Sequence, residues 1–87
     1  MNNNKNNNRI PAPGDTVYVV YPPGDINKNF IGQIRTIEQP KVPYTDDSIC
    51  PTDQQCNILF IINNKTGQVK IIPYQRFLFL NGKIRIK

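Results

Sequence analysis

The chain has no histidine and no tryptophan, and only one methionine and two cysteines in 87 residues. Serine and alanine are single too, as Ser48 and Ala12. Without histidine the commonest general base is missing, and with it every Ser-His and Cys-His nucleophile. Two thiols without an imidazole cannot complete a tetrahedral zinc site within one chain. Asp46 and Asp47 are adjacent and could meet a cation, but neighbouring side chains in a loop rarely converge, so they read as part of a solvated acidic loop. No apolar run approaches the ~20 residues that a membrane span needs. Lys5 and Arg9 have no apolar segment behind them, which is not the pattern of a secretory signal. These absences predict a non-catalytic, cytoplasmic protein that uses no cofactor and no metal and does not enter a membrane. A chain this short makes one domain, burying about 60–65% of its unfolded surface, and leaves little room for an enclosed pocket.

What is present is asparagine, isoleucine, proline and positive charge. The abundance of Asn, Lys and Ile fits an AT-rich coding sequence, a bias shared by viruses, phages and some bacteria and protists. Residues 1–8 contain six asparagines and nothing apolar after Met1. Residues 1–12 therefore read as a disordered polar arm. Thr16-Val17-Tyr18-Val19-Val20-Tyr21 is β-branched and aromatic, and predicts a strand. A second strand is predicted over 30–38, where apolar residues at 31, 34 and 37 break strict alternation and Gly32 suggests a bulge or bend. Residues 39–55 form a long loop with three prolines and three aspartates, of a length that is often functional. Cys56–Ile62 is apolar nearly throughout and reads as a central strand, and Gln68–Ile72 as its hairpin partner. Pro73-Tyr74-Gln75-Arg76 breaks the pattern, as a single 3₁₀ turn would. Phe77–Leu80, Asn81-Gly82 and Lys83–Lys87 then read as a hairpin closed by a type I′ turn. Residues 13–87 thus predict an all-β domain of five to six short antiparallel strands, a small barrel or sandwich. Its expected core is Val17, Val19, Ile34, Ile58, Phe60, Ile62, Val69, Ile71, Phe77, Phe79, Ile84 and Ile86.

The net charge of +5 suits contact with nucleic acid or an acidic protein surface, and it also serves plain solubility. Its distribution is uneven. Residues 14–56 carry three basic and six acidic side chains, whereas 57–87 carry Lys65, Lys70, Arg76, Lys83, Arg85 and Lys87 with no acid at all. If the fourth strand and the terminal hairpin lie close, these cations share one surface, and Tyr74 could add a stacking platform. Basic side chains interleaved with aromatics bind single-stranded nucleic acid, while an ordinary polar face with Tyr74 half-buried is the other reading. The opposed charges of the two segments also permit a homo-oligomer. Cys50 and Cys56 are spaced to form a disulfide, or stand as two free thiols in a reducing compartment.

Gly14-Asp15-Thr16-Val17-Tyr18-Val19, followed by Gly32-Gln33-Ile34-Arg35-Thr36-Ile37, resembles the KOW-type element of SH3-like barrels. In that element the Gly-Asp pair makes the entry turn and the later Gly lets the second strand curl. The Pro73–Arg76 break looks like the short 3₁₀ turn before the last strand of such folds. The resemblance covers residues 14–38 and implies an SH3-like barrel over 13–87. It also implies binding to RNA, DNA or a transcription-type nucleoprotein machine. This chain departs from the pattern in its longer proline-rich loop between Tyr21 and Phe30 and in the acidic loop at 39–55. Two expectations compete. One is a basic, non-catalytic module touching nucleic acid through Lys65, Lys70, Tyr74, Arg76, Lys83, Arg85 and Lys87. The other is a protein-interaction or structural accessory subunit, of viral or phage type and including an inhibitor of a host protein, that uses its proline-rich loops.

Overall fold

Alternation organises the first strand, β1 (Thr16–Val20), where Val17 and Val19 are fully buried and Tyr18 is turned outward. The structure, a computed structural model, describes residues 9–39 and 56–87. β1 is followed by β2 (Phe30–Glu38), β3 (Ile58–Asn63), β4 (Val69–Pro73), a short helix α1 (Tyr74–Phe79) and β5 (Lys83–Ile86). The five strands form one antiparallel sheet in the order β4-β3-β2-β1-β5. The fold is all-β, as composition and turn spacing predict. The sheet is not closed into a barrel, because β4 and β5 are its two edges and do not pair. Among the described residues no helix is long and apolar enough to cross a membrane.

The inner face carries the core: Val17, Val19, Phe30, Ile34, Leu59, Ile61, Ile72 and Phe77, with Tyr21, Ile37, Tyr74, Ile84 and Ile86 packed against it. This corrects the expected facing of two strands. Leu59 and Ile61 point inward in place of Ile58, Phe60 and Ile62. Ile72 is buried in place of Val69 and Ile71, the latter 61% exposed. An all-apolar strand has no alternation to read, so its facing is set by its neighbours. Ile34 pairs with Ile61, Ile37 with Leu59, and Leu59 with Ile72. The 31-34-37 spacing is resolved by a register shift between Ile34 and Thr36, which lets Ile34 and Ile37 both face inward. Gly32 is not the bulge. It sits where β3 comes closest, and a methyl group there would lie 2.5 Å from the Ile62 carbonyl oxygen.

The terminal hairpin is the larger correction. Phe77–Phe79 belongs to α1 rather than to a strand, and β5 pairs with β1 instead of with that segment. Asn81 does adopt a positive φ of 76°, but as the residue that stops a helix. The Asn81 N–H donates to the Leu78 carbonyl at 3.0 Å and the Gly82 N–H to the Phe77 carbonyl at 2.9 Å. Those two bonds define a Schellman motif. The same tolerance of left-handed backbone that favours a type I′ turn therefore serves here to satisfy orphan helix carbonyls. Phe79, expected in the core, is 69% exposed. The helix is held at its start by Asn57, a buried polar residue. Asn57 donates its N–H to Gln75 Oε1 (2.9 Å) and accepts the Tyr74 N–H at its carbonyl (2.9 Å), while its Oδ1 accepts from Gln39 Nε2 (2.8 Å).

The entry to β1 is tied down too. Asp15 accepts a hydrogen bond from Arg9 at 2.9 Å and another from the Ala12 N–H at 2.8 Å. The bond from Arg9, then that from Ala12, holds the Asp15 carboxyl below its ordinary value of 3.8. Cys56 is buried and disulfide-bonded. Cys50, the other cysteine of the sequence, lies outside the described residues, as do the loop positions 40–55 and the asparagine tract 1–8.

Candidate functional site

Register dictates which face each cation takes. Val17 pairs with Ile86 and Val19 with Ile84, both on the inner face, so their neighbours Lys83, Arg85 and Lys87 point to the outer one. All three are exposed. The end of the strand is anchored by the Lys87 N–H, which donates to the Thr16 carbonyl at 2.9 Å. Among the described residues the ion pair found is Arg9 with Asp15, and no carboxylate neutralises Lys83, Arg85 or Lys87.

Between α1 and β5 lies an open hollow of about 520 Å³, lined by Tyr74, Leu78, Lys83, Ile84, Arg85 and Ile86. Tyr74, Lys83 and Arg85 are thus brought together as expected. Tyr74 is no free platform, however. It packs against the core, and burial raises its phenol above the ordinary value of 10.0. Lys65, Lys70 and Arg76 do not join this group. Lys70 lies on β4, the opposite edge of the sheet, where it pairs with Ile61. Arg76 is on α1, its guanidinium 5.6 Å from the centre of the Phe79 ring. Lys65 occupies the turn after β3 and lines a second hollow. The two edge positions follow from the strand order, which puts β1 and β2 between β5 and the β3–β4 hairpin.

The second hollow is an open groove of about 720 Å³, with Tyr18, Ile31, Lys28 and Lys65 among the side chains that line it. In the sheet Tyr18 is the register partner of Arg85, which lines the first hollow. Neither Tyr18 nor Lys28 is among the residues singled out from sequence. The signal for Tyr18 is there in hindsight: a lone aromatic between two valines of an alternating strand must face away from them. Lys28 had no such signal, since its place depends on how the 22–29 loop folds back. That loop is closed by Asn29, whose Oδ1 accepts the Tyr21 N–H at 2.8 Å.

Comparison with family models, with curated proteins and with solved structures finds no match for this chain.

Proposed function

We propose that the protein is a non-catalytic binding module that contacts nucleic acid through the outer face of β5. The observation that carries this reading is the row Lys83, Arg85 and Lys87, exposed on one face and unpaired with acid among the described residues. Phosphate contacts need no more than cations placed in a row, and an edge strand offers them without obstruction from a neighbouring strand. The resemblance of residues 14–38 to a KOW-type element supports the same reading. The charge row would serve an acidic protein surface equally well, so the test must separate the two. Fluorescence anisotropy of labelled mixed-sequence RNA and DNA at low salt should show binding. That binding should fall steeply with added salt and be lost in Arg85→Glu with Lys87→Glu. Absence of binding to any nucleic acid at low salt, with a co-purified acidic protein in its place, would overturn the reading in favour of the protein partner.

A further inference from the structure

We infer that the groove around Tyr18 takes an unpaired base, making the ligand of this module a single strand rather than a duplex. The inference rests on the nucleic-acid reading above and adds a site that the β5 row does not contain. Tyr18 lies on the outer face because Val17 and Val19 fill the inner one, and the residue is 37% exposed. Its neighbour on β2 is Ile31, also exposed, and its neighbour on β5 is Arg85. Tyr18 thus stands in register between an aliphatic residue on one strand and an arginine on the other. That surface suits a flat heterocycle with a phosphate next to it.

The ends of the groove supply the rest. Lys28 stands on one side, placed by the Asn29 bond to the Tyr21 N–H. Lys65 stands on another, placed by the turn whose Asn64 N–H donates to the Ile31 carbonyl at 3.1 Å. Within that turn Asn63 Oδ1 accepts the Lys65 N–H at 2.8 Å, and its amide nitrogen, with no partner among the described residues, can donate to a base edge. Among the described residues no carboxylate lines the groove. Lys28 and Lys65 in the groove lining, with Arg85 in register beside Tyr18, therefore make a positive track around one exposed aromatic residue. A duplex keeps its bases stacked inside and could use the track only, whereas an unpaired base can also lie on the ring.

The test compares a labelled oligothymidine of about ten nucleotides, within the usual site size of such grooves, with the same strand in a blunt duplex. The full chain and the variants Tyr18→Ala, Tyr18→Phe, Arg85→Glu and Lys28→Gln with Lys65→Gln are measured, each checked for folding by thermal melting. The single strand should bind more tightly than the duplex. Tyr18→Ala should weaken the single strand by about 5- to 150-fold, the range for loss of one stacked base, and leave the duplex unchanged. Tyr18→Phe should bind as the parent does, and the double lysine variant should weaken the single strand. If Tyr18→Ala binds both ligands as the parent does while Arg85→Glu weakens both, the stacking site is overturned and the basic face stands. Should the parent bind neither ligand, the basic face itself is overturned, and the stacking site with it. Thymidine monophosphate is the last arm. Competition by it as effective as that of the strand would mean a free-nucleotide pocket and would overturn the single-strand assignment.

Discussion

At the scale of single residues, the tightest constraint is Gly82 against Phe77. The Phe77 ring is buried and meets Tyr21 edge-on, with centroids 5.4 Å apart and planes at 90°. A methyl group on residue 82 would lie 2.6 Å from that ring. The ring is packed in the core cluster and would have to shift, so Gly82→Ala should cost about 1–3 kcal/mol by overpacking. Thermal melting checks this, and Phe77→Leu made in the Gly82→Ala background should recover part of the loss. If Gly82→Ala melts with the parent, the ring is not held as described. Titration gives a second residue-scale prediction. Burial raises both Tyr74 and Tyr21, the latter helped by the charge of Asp25. A raised phenol keeps its proton longer in the folded state, so its contribution is intact below the ordinary value of 10.0. That contribution is lost as pH climbs through the raised folded value. Denaturant melts should therefore show a stability loss above about pH 10 that is smaller in Tyr74→Phe. Asp15 has the opposite sign. Its lowered carboxyl stabilises above 3.8 and loses that effect as pH falls through its folded value, so the acid limb should soften in Asp15→Asn.

At the scale of elements, α1 is where local pattern and tertiary demand part company. Phe77-Leu78-Phe79-Leu80 is a composition that suits a strand, and Asn81-Gly82 suits a hairpin turn. A strand there, however, would extend the sheet past β5 and carry Phe77 away from Tyr21, whereas β5 stays an edge paired with β1 and Phe77 is buried against Tyr21. A helical turn closes its backbone bonds within itself, and the Schellman bonds at Asn81 and Gly82 complete them. The clue to this was long-range: Asn57 meets Gln75 across 18 positions, which no window of sequence reveals. By contrast β1, the bounds of β2 and the facing of β5 were readable, because alternation or a dense β-branched run marks each. β3 was readable as a strand but not in its facing, since every residue from Ile58 to Ile62 is apolar. Two outcomes test the helix. Asn81→Val forces a β-branched residue into left-handed backbone and should cost about 1–2 kcal/mol, while Asn81→Gly should hold or slightly raise the melting temperature. Gln75→Ala strands the buried Asn57 N–H and should cost about 1–3 kcal/mol, with Gln75→Glu retaining the acceptor. Equal melting temperatures for Asn81→Val and Asn81→Gly would remove the Schellman account.

At the scale of the whole molecule, charge is sorted by strand order. The cations of 57–87 look like one cluster in the sequence, yet the sheet places Lys70 at one edge and Lys83, Arg85 and Lys87 at the other. Sequence could supply the β5 row, because period-two alternation is local. It could not supply the separation, because edge assignment depends on which strands pair. Nor could it supply the Tyr18 groove, whose lining comes from β1, β2, the 22–29 loop and the turn after β3. The two edges therefore make a controlled comparison within one molecule. Each cation that neutralises a phosphate of a single strand contributes a slope of about −0.7 to the dependence of log affinity on log salt. Lys83→Gln and Lys87→Gln should each flatten that slope by about 0.7 and weaken binding alike for every sequence tried. Lys70→Gln removes the same unit of charge from the far edge and should leave the slope where it was. Equilibrium titrations over a range of salt concentrations read all three. A slope that drops equally for Lys70→Gln would mean that affinity follows net charge alone, and the β5 edge would then have no claim to be the binding surface.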